Sequence, residues 1–352
     1  MAPRAVSTKS NIFSTLLQTY ILSSVMLLAM ISLAEASVVY VSFTHEHFIE
    51  RFDTATGLNL DAPGGPGNGT GFYVTSISNP TGLALDRNGN LYAAGLANGV
   101  INEIPLLGTI STFASGIADP LGLAFDSGGN LYVVGSGGGP IFGSTITKIA
   151  PNGTVTPNWV TGLTNAYGIA SDGTNLFTAS GGAIVKITPA LGGASATLST
   201  YVSAGNFSDA DLAFDGADLF AADLLGVFKI TPANGGLTGT AAFFASGVGI
   251  RFEPGIATDS GVVLESSGGG GPNTISIFGS NGKPVSPFLI RPGRDPFFMT
   301  TELIPEPSSW LLIASGLGGL LACCWRQGAA ASSSRSRSET GCRRPFGVKQ
   351  LN

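Results

Sequence analysis

An all-β fold of repeated four-stranded units is the architecture this sequence predicts, on three observations. First, the stretch GLAFDSGGNLY (122–132) returns as GLALDRNGNLY (82–92), GIASDGTNLF (168–177), LAFDGADLF (212–220) and GIATDSGVVL (255–264). Each is a short apolar run, an Asp, a turn-forming segment and a second apolar run, which is the pattern of a β-hairpin. Second, Ala84, Ala124, Ala170, Ala213 and Ala257 hold the same place in successive hairpins, at steps of 40, 46, 43 and 44 residues. A period in the forties belongs to an array of small sheets. Third, the chain has 51 glycines and 20 prolines with only 11% charged residues, which supplies many tight turns without a collagen period.

The elements follow in chain order. Arg4 and Lys9 precede an apolar run from Ile12 to Leu33, and Ala34-Glu35-Ala36 follows. This is the plan of a secretory signal peptide over residues 1–36, cut before Ser37. Residues 37–303 carry the repeat. After each hairpin comes a second element, VINEIP (100–105), TITKIAPNGT (145–154), AIVKITPA (183–190), GVFKITPA (226–233) and TISIFGSNG (274–282). A third closes each unit, TISTFAS (109–115), TVTPNWV (154–160), ATLSTYV (196–202), GTAAFFA (239–245) and PVSPFLI (284–290). Four short strands per unit are the content of a propeller blade.

The N-terminal unit fits after a shift. VVYVSF (38–43) matches the second strand, FIERFDTATG (48–57) the third and GFYVTSI (71–77) the fourth. Its first strand is missing, and DPFFMTTEL (295–303) can supply it, with Phe297–Thr301 in the place of GLALD. Pairing that segment beside Val38–Phe43 closes a circle and removes both sheet edges. The expectation is therefore a six-bladed β-propeller. Gly and Ala in each first strand let the backbones crowd a central channel, and Asp86, Asp126, Asp172, Asp215 and Asp259 cap the hairpin turns.

Gly122-Leu123-Ala124-Phe125-Asp126 and Ile146-Thr147-Lys148-Ile149-Ala150-Pro151-Asn152-Gly153 resemble the repeats of NHL-type six-bladed propellers. The resemblance covers the body of the chain and implies binding more often than catalysis.

The C-terminal region has a different character. Pro305-Glu306-Pro307 interrupts regular structure, and an apolar stretch from Trp310 to Trp325 ends at Arg326. Residues 308–325 are just long enough, as a helix, to span a membrane, with the two tryptophans as interfacial anchors. Residues 304–326 resemble the PEP-CTERM sorting signal of exopolysaccharide-producing Gram-negative bacteria. That resemblance implies export, membrane anchoring and processing near Pro305, Glu306 and Pro307 by an exosortase-type peptidase. Unlike such signals, the chain continues beyond Arg326 in a Ser/Arg-rich segment, 327–352, which reads as a disordered basic tail.

Charge and chemistry narrow the function. Between Ser37 and Ile304 there are nine basic and nineteen acidic residues, a balance that argues against nucleic acid as a partner. The three cysteines, Cys323, Cys324 and Cys342, all lie beyond the repeat, so no disulfide framework holds it. His45 and His47, the only histidines, flank Glu46. They form one candidate metal pair, placed in the loop between the second and third strands of the first blade. Asp209 and Asp211 form the preferred pair, because Asp-Ala-Asp puts two carboxylates on one face of an extended segment, suited to a shared divalent cation. Asn79, Asp119, Asn165, Asp209, Asp211 and Glu253 precede inner strands; they form either an acidic ring at one end of the channel or ordinary Asx turns. No nucleophile elbow, P-loop or Ser/His/Asp triad is present. The Glu-Gly-Pro entry and Asn-Asp partner of gluconolactonase-type propellers are not found either. The expectation is an exported, membrane-anchored propeller acting as a binding or structural module at the bacterial envelope, with a polysaccharide or protein ligand. The alternative is a secreted metal-dependent propeller enzyme, a lactonase or lyase.

Overall fold

The computed structural model of the protein describes residues 37–303 apart from 55, 62–70, 107–108, 139–142, 204–206, 208–209, 246–251, 260, 269–273, 290–295 and 297. The signal segment (1–36), the Pro-Glu-Pro motif with its apolar stretch (304–326) and the tail (327–352) lie outside the described residues. Among the described residues no helix is long and apolar enough to cross a membrane.

The first sheet begins with β1 (Ser37–Phe43) and β2 (Phe48–Asp53). Five four-stranded antiparallel sheets follow. The second blade has β3 (Pro80–Leu85), β4 (Leu91–Gly95), β5 (Val100–Ile104) and β6 (Ser111–Ser115); the third has β7 (Leu123–Phe125), β8 (Leu131–Gly135), β9 (Thr145–Ile149) and β10 (Val155–Thr161). The fourth has β11 (Ile169–Ser171), β12 (Leu176–Ser180), β13 (Ala183–Pro189) and β14 (Ala196–Val202); the fifth has β15 (Asp211–Asp215), β16 (Asp218–Asp223), β17 (Gly226–Ala233) and β18 (Thr238–Ala245). The sixth has β19 (Phe252–Asp259), β20 (Val262–Gly268), β21 (Thr274–Phe278) and β22 (Pro284–Leu289), and β23 (Met299–Leu303) ends the fold. In these five sheets the strands are ordered as in the chain, and β23 joins β1 and β2 in the first.

Burial explains the composition of each strand. The second strands β4 and β8, LYAAG and LYVVG, are buried at every position, so they read as continuous apolar runs. The outer strand β6, STFAS, is mostly exposed and mostly polar or small. The hydrophobic residues gather in six clusters among the described residues, each seated between two neighbouring blades. Leu131, Val133, Ile149 and Ile101, for example, join blades two and three. Each such side chain contributes roughly 1.5–3 kcal/mol when fully buried, so packing between blades is a main source of the ring's stability.

The inner strands β23, β3, β7, β11, β15 and β19 touch in that order and return to β23. The ring is closed by β23 on β1, antiparallel, from Ser37 opposite Leu303 to Val41 opposite Met299. The closing strand is shorter than the 295–303 segment suggested, and its match to the repeat is slipped by one residue. Thr300 pairs with Tyr40 as Ala84 pairs with Tyr92, so Thr300, and not Met299, holds the alanine position. Pairing with β1 sets that register, because a one-residue slip would turn Met299 and its neighbours to the wrong faces.

The first blade departs from expectation at its outer edge. No fourth strand forms at 71–77, so this sheet has three strands. Two single bridges share the edge of β2 instead, Ile49 with Val74 and Phe52 with Asn59. The segment after β2 folds back on it: Asp53 N–H donates to Leu58 O, and Leu60 N–H to Arg51 O. Arg51 also grips Asp61 through two bonds, at 2.9 and 3.1 Å. Residues 58–61 thus occupy the half of the edge that a longer strand would need.

Candidate functional site: a central well and its closed end

The crowding of the inner strands is visible at glycine. Gly82 N–H donates to Leu121 O at 3.0 Å, Gly122 to Tyr167 O at 3.2 Å and Gly168 to Ala210 O at 3.2 Å. A Cβ on Gly82 would lie 2.1 Å from Leu121 O, so no other residue fits there without moving the next blade. In the fifth blade this position is Asp211. Its Oδ1 accepts from the Leu212 N–H at 2.9 Å and its Oδ2 from the Ile256 N–H at 3.0 Å. The side chain thereby links blade five to blade six by accepting a bond, where the glycines link their blades to the next by donating one from the backbone N–H. Asp211 is buried, and burial outweighs those two N–H groups and pushes its carboxyl up to about 7.

Within the ring lies a well of about 570 Å³, walled by residues such as Leu83, Ala84, Leu123, Ala124, Ala170 and Ala257. Its polar lining is Ser171, Asp215, Thr258 and Thr301, with Thr300 at the alanine position of the closing strand. Three of these are already engaged. Ser171 Oγ accepts from Gly173 N–H, Thr258 Oγ1 donates to Phe214 O, and Thr301 Oγ1 donates to Thr258 O.

The opposite end of the channel is shut. Tyr167 leads into β11 and Phe298 into β23, strands on opposite sides of the ring. Their rings stack with centroids 4.9 Å apart and planes 16° apart. Both are buried in one cluster with Leu121 and Ala166. The well is therefore blind, with its mouth among the hairpins.

The sequence-derived candidates fall as follows. Asp209 lies outside the described residues, so its partnership with Asp211 is not described. His45 and His47 sit in the turn between β1 and β2, as expected for their loop, and both are exposed. His47 has φ 63°, and its Nδ1 accepts from the Asn79 N–H at 3.0 Å. Asn79, Asp119 and Asn165 have φ of 51°, 46° and 49°, the left-handed conformation Asx tolerates best. Asp119 also accepts from Ser136 Oγ at 2.7 Å. These entry residues serve as turns. Among the described residues no group of three or more His, Cys, Asp or Glu is arranged to hold a metal ion.

Three hairpin aspartates meet expectation; at Asp215 the turn is instead closed by the Ala217 N–H donating to the Asp215 backbone carbonyl at 2.6 Å, and the Asp259 side chain lies outside the described residues. Asp86, Asp126 and Asp172 each accept two backbone N–H bonds at Oδ1 and an Asn side-chain amide at Oδ2. One pair was missed. Asp223 at the end of β16 and Glu265 in β20 are both about 1% exposed. Burial, and then the charge of Asp223, push Glu265 up to about 8. Burial also raises Asp223, against the N–H groups of Leu225 and Gly226. The available signal was a lone Glu in the apolar run VVLESS.

No protein-family model matches this chain, and no curated protein matches it. Among solved structures, a nidogen/laminin complex aligns with TM-score 0.58 and 16% identity, over 75% of this chain and 98% of that one. A streptogramin B lyase aligns with TM-score 0.53 and 13% identity, over 75% and 83%. Likeness at such identities is a likeness of fold, and with the sheet order above it establishes an all-β six-bladed β-propeller.

Proposed function

We propose that the protein is an exported, membrane-anchored β-propeller that serves as a binding module at the bacterial cell envelope and presents its hairpin face to a polysaccharide or protein ligand. The observation that carries this reading is the blind well. Tyr167 and Phe298 close one end, so the concave surface open to a ligand is on the hairpin side, with small apolar walls, three hydroxyls already engaged, and Thr300 and Asp215 beside them. Such a surface suits recognition more than bond breaking. The signal segment, the Pro305-Glu306-Pro307 motif and the apolar 308–325 stretch support export, anchoring and processing by an exosortase-type peptidase. Two measurements test the proposal. Asp at Leu311, Leu312 and Leu320 should move the protein to the soluble fraction, since each charge costs roughly 2.5–3.5 kcal/mol at a helix centre. A glycan and metal screen of the purified chain should give a saccharide hit without metal; persistent membrane retention in the first experiment, or no hit in the second, would sink the corresponding half.

A second reading, a metal-dependent lactonase or lyase, draws on the buried Asp211, Asp223 and Glu265 and on the fold shared with a streptogramin B lyase. Lactone or lyase turnover that a chelator stops, and that Asp211→Asn or Glu265→Gln removes, would favour it.

A further inference from the structure

In three successive blades a third-strand lysine lies over the aromatic residue it pairs with on the second strand: Lys148 with Tyr132, Lys186 with Phe177 and Lys229 with Phe220. The ammonium nitrogens stand 5.9, 5.8 and 5.7 Å from those ring centroids, within cation–π range. A fourth-strand ring backs each one, Trp159, Tyr201 and Phe244, at 4.9, 4.9 and 5.1 Å. Two of the lysines reach on to the next blade, Lys148 to Gly193 O at 3.2 Å and Lys186 to Gly236 O at 2.8 Å. Lys229 pairs with Asp218 at 2.8 Å. An ammonium group is thus a built-in partner of the second-strand ring in each of these three blades.

Blade two keeps the rings and lacks the cation. Tyr92 packs against Phe113 at 5.0 Å and Phe125 at 4.9 Å, but the residue paired with Tyr92 is Glu103. Its carboxylate is half-buried, and Oε1 accepts from the Tyr92 hydroxyl at 3.1 Å. The groove between blades two and three stays open, as a cavity of about 680 Å³ lined by Tyr92, Glu103, Phe113, Phe125, Asp86 and Asn88 among others. The groove that Lys148 lines has about 420 Å³. Arg87 also lines this cavity, its guanidinium held by donation to Ser127 O on the neighbouring hairpin.

We propose that this groove binds an amino sugar, whose free ammonium group takes the place that lysine takes in the sister blades. Glu103 supplies the counter-charge, and the aromatic rings supply faces for the cation and the sugar's C–H edge. The Asn88 carbonyl oxygen adds an acceptor for a hydroxyl, while Asp86 stays engaged as the hairpin cap. The room available far exceeds what one ammonium needs, and its polar wall would go unused by a bare lysine side chain. This deepens the binding-module reading and rests on it only in requiring an exposed hairpin face.

The test is calorimetric titration of the full-length chain in detergent with glucosamine, N-acetylglucosamine and a short lysine peptide. Glucosamine is expected to bind, and N-acetylglucosamine, which carries no charge, to bind at least about tenfold more weakly, or ~1.4 kcal/mol. Glu103→Gln should lose binding by a similar factor. Glu103→Lys, which restores the arrangement of the sister blades, should abolish it while circular dichroism shows an intact fold. The inference is overturned by equal binding of the two sugars, by tighter binding of the peptide, by no binding of glucosamine, or by binding that survives Glu103→Lys. A saccharide hit that persists in Glu103→Lys would leave the binding module standing and remove only the amino-sugar site.

Discussion

Tyr167 and Phe298 belong to strands on opposite sides of the six-strand ring, yet their rings stack at 4.9 Å and 16°, a bolt across one end of the channel. Phe298→Ala should cost about 3–5 kcal/mol, the range for removing a buried Phe, and open the channel from end to end. Phe298→Leu, which refills most of the space, should cost less. Chemical denaturation of the two variants against the parent checks both the magnitude and the order.

Closure gives a second expectation. A chain ending before Met299 lacks the strand that pairs with β1, so it exposes the ladder edge of β1 and leaves β19 without the strand it packs against. Its melting temperature should fall and its tendency to aggregate should rise. Melting at the parent temperature would mean that β23 does not hold the ring.

The buried carboxyls make stability depend on pH in an unusual direction. Asp211 rises from 3.8 to about 7 and Glu265 from 4.5 to about 8, both chiefly through burial. The folded chain keeps these protons at pH values where the unfolded chain has lost them. This stability is fully present below about pH 4 and is lost as pH rises towards 8. For Asp211 the loss is roughly 4 kcal/mol. Denaturation midpoints measured from pH 4 to 9 should fall across that window, and Asp211→Asn with Glu265→Gln should flatten the curve. An unchanged slope in the double variant would assign the effect to other groups.

Asp126 gathers the hairpin of blade three. It accepts from Gly128 N–H, Asn130 N–H, the Asn130 amide and the Tyr132 hydroxyl, at 2.8–3.0 Å. Asp126→Ala should destabilise by about 1–3 kcal/mol, and Asp126→Asn by less. Thermal melts of the pair decide it; equal losses would show that the charge, not the acceptor geometry, matters.

The blade repeat was legible because it depends on local chemistry. A GLALD run, an Asx turn and a K-I-x-P strand each encode their own conformation within a dozen residues. Asp211 was visible, but one of its roles was not. Set beside Asp209 it is half of a candidate cation site, a pairing that lies outside the described residues; set in one column with Gly82, Gly122 and Gly168, it is also the carboxylate standing where backbones otherwise touch. The Tyr167–Phe298 stack could not be read, since it joins residues far apart in sequence that only ring closure brings together. The same holds for the one-residue slip of Thr300, which β1 decides and the closing segment alone does not. The edge of blade one failed for a different reason. The ion pair between Arg51 and Asp61 and the backbone bonds of Leu58 and Leu60 captured an edge that the hydrophobic pattern of 71–77 seemed to claim.

The pairing of Ser37 with Leu303 also dictates an order of events during synthesis. The first strand to be made waits for the last, and until residue 303 has emerged the nascent chain holds at most five finished sheets, with the ladder of β1 unsatisfied. Nucleation within a blade is local and fast, whereas joining the two ends is a long-range step that comes late and slowly. The interval between them is when such edges can find one another on neighbouring chains, and a chaperone that shields β1 would act during that interval.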